Sequence, residues 1–259
     1  MISLQDVGEL QLIKRVEFLV QQAQGNKVVL SLGDDCAVVK VGGKFLLISS
    51  DMSVEDVHFL SDKFPPMAIG WKVMASAWSD IASMGGAPRW AVVSMALPKR
   101  ISVQKVERIY EGMVEATKFV NAVIVGGDTT TSHNDKIIID VTVIGEAVQK
   151  KFITRSGARH GDILALTGTL GNSSAGLLAL QQDLAETFLW HSHWYPIPRI
   201  REGKWLCTKA NVSTMIDISD GLLTDAGHIA EMSGVGINIF KQKIPVSEEL
   251  QEFLSLIHI

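Results

Sequence analysis

What most restricts the folds open to this chain is where its aspartates fall. Asp34, Asp35, Asp51, Asp80, Asp128, Asp217 and Asp220 all stand at expected strand-to-turn or helix-end positions, several with a glycine or a hydroxyl alongside. Ser49–Phe59 is the fullest example. The apolar run Phe45-Leu46-Leu47-Ile48 reads as a buried strand; Ser49, Ser50 and Asp51 follow where it is expected to run out, and Glu55, Asp56 and His58 come next. Strand ends are rigid places to hold polar groups toward a ligand. If five such carboxylates converge, each pair at ~5 Å and an effective dielectric of ~20 repels by roughly 3 kcal/mol. A handful of pairs rivals the ~5–15 kcal/mol stability of a whole domain. Convergence therefore requires protons or cations. Oxygen donors without cysteine or histidine partners suit hard cations, of which Mg2+ typically arrives with substrate phosphates. The alternative is that these residues are caps and turn formers scattered over the surface.

Along the chain, a helix is expected over Leu4–Gln24, stopped by Gly25-Asn26, then a strand from Val28 to Leu32. Ala37–Val39 and Lys44–Ile48 form a hairpin around Gly42-Gly43. Pro65-Pro66 opens a helix through Ile81 that carries Ser79-Asp80 near its end and stops at Gly85-Gly86. A strand from Trp90 to Leu97, a helix from Val103 to Val120 and a strand from Ala122 to Val125 lead to a turn, Gly126-Gly127-Asp128-Thr129-Thr130. Ile137–Ile144 completes this sheet. Further strands are expected at Ile163–Leu166, Thr214–Ile218 and Ile237–Phe240, with helices at Ala175–Leu184, from Pro198 to Lys209, and from Gly221 to Met232. Gly168–Ser174 is a glycine and hydroxyl loop at a helix start, where a phosphate can be cradled. The composition shift at Glu146–Arg159 divides the chain into residues 1–148 and 149–253, and residues 254–259 read as a non-native tail after a shortened second domain.

With 47% hydrophobic and 20% charged residues, the chain has ample core and is not disordered. A net charge of −4 without any Lys/Arg-rich run argues against nucleic acid as a partner, though not against a nucleotide held through metal ions. No apolar run reaches the ~18–20 residues of a membrane span. The N-terminus lacks the pattern of a signal peptide. Cys36 and Cys207 are far apart and read as small buried residues in a reducing compartment, so a cytoplasmic location is expected. Neither a Gly-x-x-x-x-Gly-Lys-Ser/Thr loop nor the protein-kinase loop set is present.

Taken in order, Gly33-Asp34-Asp35-Cys36-Ala37, Ser50-Asp51 with His58-Phe59, Ser79-Asp80-Ile81-Ala82-Ser83-Met84-Gly85, Gly126-Gly127-Asp128-Thr129-Thr130, Thr154-Arg155-Ser156-Gly157-Ala158 and Asp217-Ile218-Ser219-Asp220-Gly221-Leu222 resemble the motifs of the thiamine-monophosphate kinases. These belong to the superfamily of aminoimidazole ribonucleotide synthase and selenophosphate synthetase. The resemblance implies an α/β fold of two domains: an N-terminal mixed sheet with helices, which binds ATP and Mg2+ and dimerises, and a C-terminal α/β domain, here incomplete. It also implies ATP-dependent phosphorylation of thiamine monophosphate to thiamine diphosphate by a homodimer. By position, Asp35, Ser49, Ser50, Asp51, Asp80, Asp128, Asp217 and Asp220 are implied to bind several Mg2+ ions; Gly127, Asp128, Arg155, Ser219 and Tyr110 to contact ATP; and His58 to contact thiamine monophosphate. Tyr110 reads equally well as an ordinary helix-face aromatic. The chain departs from the family pattern at Ser50 (often Thr), Thr131 (commonly Arg) and Tyr195 (usually Arg), and it stops before the family's thiamine-side Gly-Gly-Glu-Asp segment and C-terminal aromatic. The alternatives are another ATP-dependent synthase of the superfamily, or a nucleotide- and metal-binding chain without turnover. Cys36, placed after Asp35 rather than near a glycine-rich start, does not match the reactive cysteine of the selenophosphate enzymes.

Overall fold

The computed structural model describes residues 4–21, 25, 27–184 and 188–256. Its elements run α1 (Leu4–Gln21), β1 (Val28–Leu30), β2 (Ala37–Val41), β3 (Lys44–Val54), α2 (Pro66–Ser83), β4 (Gly86–Leu97), α3 (Val103–Phe119), β5 (Val123–Thr131), β6 (Ile138–Ala147), α4 (Asn172–Gln181), α5 (Phe188–Trp194), α6 (Ile200–Lys209), α7 (Leu222–Ser233) and α8 (Glu248–Leu256). The expected end of the first helix at residues 22–24, its stop at Asn26, and Ile257–Ile259 lie outside the described residues. Leu254–Leu256 form the end of α8.

The strands form one mixed sheet in the order β1-β2-β3-β6-β4-β5. All neighbours are antiparallel except β4 and β5, whose parallel pairing is reached through α3. Helices cover one face. There Leu47 of β3, Ala91 and Val93 of β4, and Ile139, Val141 and Val143 of β6 bury against Val73, Met74, Ala77, Trp78 and Ile81 of α2. Pro66 stands in the first turn of α2, and the Ser102 side chain caps α3 by accepting from the Lys105 N–H at 3.2 Å. Two glycines set how closely α2 and α3 pack. A Cβ on Gly70 would stand 1.8 Å from the Ile109 carbonyl oxygen, and one on Gly112 would stand 1.9 Å from that of Met67. Gly203 does the same for α6 against the end of α2, so α2 is held by α3 near its start and by α6 just past Ser79 and Asp80.

Several expectations are corrected. The strand that begins at Lys44 does not stop at Ile48; β3 continues to Val54, paired with β6 as far as Val54↔Ile138. Likewise Gly126–Thr130 is not a turn but the middle of β5, with Gly127 opposite Val93 and Asp128 opposite Ser94. Polar side chains are compatible with both strands because their backbones have a partner ladder and their hydroxyls have bonds or solvent. Conversely, Ile163–Leu166, Thr214–Ile218 and Ile237–Phe240 are extended but join no ladder among the described residues. A strand exists only with a partner edge, and Ile163 is 91% exposed. No helix is long and apolar enough to cross a membrane, among the described residues.

Candidate active site

Alternation along β3 sorts the opening polar cluster onto two faces. Ser49, Asp51 and Ser53 share the helix-covered face with Leu47, while Ser50 points to the other. The Ser49 hydroxyl donates to the Asp80 carboxylate on α2. Ser50 instead bonds the Asp140 carboxylate at 3.2 Å and Thr142 Oγ1 at 3.0 Å.

Asp80 meets Asp35 and Asp217, and one carboxylate oxygen from each lies within 4.8 Å of the others. Three distant segments thus converge: the turn after β1, the end of α2 and the loop before α7. Asp35 is buried. Its Oδ1 accepts from Arg155 Nε at 2.9 Å and also from Nη2, while its Oδ2 is buried without a partner among the described residues. Asp34 holds the arginine's backbone, accepting from the Arg155 N–H at 3.0 Å. Burial is the main cause that pushes Asp80 up to about 8, with Asp217, Asp35 and Asp51 adding repulsion and the Ser49 hydrogen bond opposing. Asp217 is raised to about 6, again chiefly by burial and then by Asp35. Asp51 is raised by burial, partly offset by His58.

Asp51, Asp80 and Asp217 border a cleft of about 2230 Å³ lined by residues from both halves of the chain, among them His58, Ser219 and Asp220. His58 is oriented by its own turn: its Nδ1 accepts from the Val54 N–H at 3.0 Å, so the ring proton sits on Nε2. Glu55 and Asp56, without a role in the sequence reading, anchor that turn. Glu55 accepts from the Ile137 N–H at 2.8 Å, and Asp56, at φ 67°, pairs with Lys136. Asp225 also escaped the sequence reading. Buried in the first turn of α7, its carboxylate accepts from the N–H groups of Ser219 at 3.1 Å and Gly221 at 3.0 Å, fixing the loop that presents Asp217, Ser219 and Asp220. The available signal was an acidic residue in a helix first turn after Asp-Gly, where carboxylates bond orphan N–H groups.

The remaining expected residues fall elsewhere. Gly127 and Asp128 are on the edge strand β5, exposed, with Asp128 on the sheet face opposite the helices. Tyr110 is on α3 and lines a separate apolar hollow with Leu97, Ile101 and Val106. Both cysteines are buried and free; Cys36 Sγ donates to the Asp80 carbonyl at 3.3 Å, and burial raises its thiol pKa.

Residues 33–147 match the family model for the N-terminal domain of AIR synthase related proteins, and residues 159–258 that for the C-terminal domain. A thiamine-monophosphate kinase of Aquifex aeolicus is 40% identical over 257 residues, covering 97% of this chain and 79% of that protein. The corresponding Bacillus subtilis protein is 37% identical over 233 residues, covering 87% of this chain and 71% of its own length. Among solved structures, one described as "AaThiL complexed with AMPPCP and TMP" superposes with a TM-score of 0.90 at 36% identity, over 99% of this chain and 80% of that one.

Proposed function

This chain belongs to the thiamine-monophosphate kinases of the AIR synthase related family, and from that premise we propose that it transfers the γ-phosphoryl group of ATP to thiamine monophosphate at the Asp35–Asp80–Asp217 cluster. The observation that carries the reading is the convergence of these carboxylates, with Asp80 and Asp217 in the wall of a cleft large enough for two substrates and Asp35 buried beside them.

The donor set fits Mg2+. It is all oxygen, and the orphaned Asp35 Oδ2 is a buried acceptor that nothing among the described residues satisfies. Asp35, Asp80 and Asp217 would hold the ions, with Asp51 and Asp220 at the margin of the same cleft. When bound, Mg2+ neutralises phosphate charge and draws the two substrates together. In the balanced reaction, an oxygen of the thiamine monophosphate phosphate forms a new bond to the γ-phosphorus, the bond from that phosphorus to the β-bridging oxygen breaks, and ADP leaves. The acceptor phosphate is already ionised near neutral pH, so no general base is required. His58 accordingly acts as a donor: with Nδ1 occupied by Val54, its Nε2–H is the group available to an acceptor oxygen. Arg155 holds Asp35 in position, and Asp225 holds the loop of Ser219 and Asp220.

We take residues 1–148 as the ATP- and Mg2+-binding unit and residues 149–253 as the second unit, and assign the protein to the cytoplasm. A homodimer is supported by the helix-free sheet face, which exposes Met52, Trp90 and Val123 together. Incubation with ATP, Mg2+ and thiamine monophosphate is expected to yield thiamine diphosphate and ADP in equal amounts, and EDTA to stop it. ATP consumption that releases only inorganic phosphate would exclude the assignment.

A further inference from the structure

Nearer the start of α2, a second set of polar groups meets in the cleft wall. Lys72, Ser76, Ser79, Asp80 and Ser83 all line the cleft. The eight residues from Lys72 to Asp80 separate their Cα atoms by about 12 Å along the helix. Lys72 Nζ lies 3.0 Å from His193 Nε2 on α5, and His193 Nδ1 lies 2.8 Å from Ser173 Oγ on α4. The Phe64 ring backs the pair, 5.4 Å from the ammonium and edge-on to the imidazole at 5.5 Å.

The direction of each hydrogen bond follows from donor chemistry. An ammonium only donates, so His193 Nε2 accepts and its proton sits on Nδ1. Nδ1–H then donates to Ser173 Oγ, which leaves the Ser173 hydroxyl proton free to point into the cleft. Lys72 makes no ion pair with any carboxylate among the described residues; its contacts are the neutral imidazole and the Phe64 face. Burial lowers Lys72 to about 8 and, with Lys72 beside it, His193 to about 4. A half-buried cation without a counter-charge, beside a hydroxyl oriented to donate, is a pre-arranged acceptor of an anion.

We propose that Lys72, His193 and Ser173 form a second anion site in the cleft, distinct from the carboxylate cluster, for a tetrahedral oxyanion of the phosphate class. The two donors, Lys72 on α2 and Ser173 on α4, stand on either side of the His193 ring and reach the anion from different helices. A lysine point charge contacts phosphate readily, whereas planar carboxylates are matched best by the arginine fork. Lys72 and Ser173 touch the anion, and His193 is the positioning residue between them.

The site is tested without nucleotide or metal, so its outcome is independent of the kinase reading. In EDTA at pH 7, inorganic phosphate is titrated into the full chain and followed by calorimetry, with the His193 ring nitrogens observed by 15N NMR. Saturable binding is expected, weakened about 10-fold or more in Lys72→Gln and several-fold in Ser173→Ala. The His193 resonances should move as Lys72 gains its counter-ion. Ser173 is exposed, so its variant carries the test should Lys72→Gln fail to fold. Absence of saturation, affinity unchanged in Ser173→Ala, or acetate binding as tightly as phosphate would overturn the proposal.

Discussion

Arg155→Met should destabilise the metal-free protein through a charge it leaves behind rather than through lost contacts. The Asp35 side chain is 1% exposed, and the Arg155 guanidinium is its only cationic partner among the described residues. Oxygens of Asp80 and Asp217 lie within 4.8 Å of it. Removing one member of a buried ion pair costs about 3–5 kcal/mol, because the survivor is left uncompensated. That is roughly a fifth or more of the ~5–15 kcal/mol stability of a typical domain. Neutralising the survivor with Asp35→Asn in the same background should recover more than half of the loss. Millimolar Mg2+ should raise the stability of Arg155→Met more than that of the wild type, since a cation replaces the missing charge. Urea unfolding in EDTA and in Mg2+, for wild type, both single variants and the double variant, supplies the cycle. Equal losses in Arg155→Met and in the double variant would refute the reasoning, since the carboxylate's charge would then not be what the arginine balances.

Other perturbations probe other parts of the structure. Gly112→Val places a side chain against the Met67 carbonyl, where even a Cβ would stand at 1.9 Å; it should force α2 and α3 apart at about 3 kcal/mol or more, seen as a lower Tm, and an unchanged Tm would contradict the close packing. Asp225→Ala leaves the Ser219 and Gly221 N–H groups unpaired and should weaken Mg2+ binding about tenfold by calorimetry, with Asp225→Asn retaining most of the affinity; equal losses would mean the hydrogen bonds are not what orders the loop. His193, held at about 4 in the folded chain against an ordinary 6.5, binds fewer protons folded than unfolded between those values. Its contribution is therefore present above pH 6.5 and lost as pH falls toward 4, on the order of 3 kcal/mol at most. Asp80 gives the opposite slope between about 4 and 8, so the comparison is wild type minus His193→Gln; a difference that is flat between pH 6.5 and 4 would exclude a buried neutral imidazole.

Hydropathy located the sheet core and the long helices, because apolar periodicity is a local property: α2 begins at the expected Pro65-Pro66, and α3 begins at Val103 as expected. It failed where polar residues continue a strand. Ser49–Ser53 and Gly126–Thr130 look like loops by composition, yet both pair fully, since a β ladder asks only for backbone and a partner. The reverse error at Ile163–Leu166 has the same source, as a short apolar run specifies a strand only when another edge is within reach. At the site, carboxylates that stand before or after elements could be identified one by one, but which of them meet is decided by long-range packing. Asp35, Asp80 and Asp217 converge because α2 is clamped by α3 and α6, whereas Ser50 and Asp128 occupy the opposite face by strict alternation. Arg155, expected at the nucleotide, also carries Asp35, a pairing that no local sequence pattern announces. Lys72 and His193 gave no signal, since a lysine in an amphipathic helix and a histidine among aromatics are commonplace until three helices bring them together.

The most direct test of the carboxylate cluster as the cation site is the proton balance of Mg2+ binding. With Asp80 pushed up to about 8 in the metal-free protein, its carboxyl is mostly protonated at pH 7, and a cation must displace that proton. Calorimetric titration of Mg2+ in buffers of different ionisation enthalpy should show release of close to one proton at pH 7, declining toward zero above about pH 9. Asp80→Asn should abolish it. A binding enthalpy independent of buffer at pH 7, or the same release in Asp80→Asn, would contradict the assignment of this cluster as the Mg2+ site.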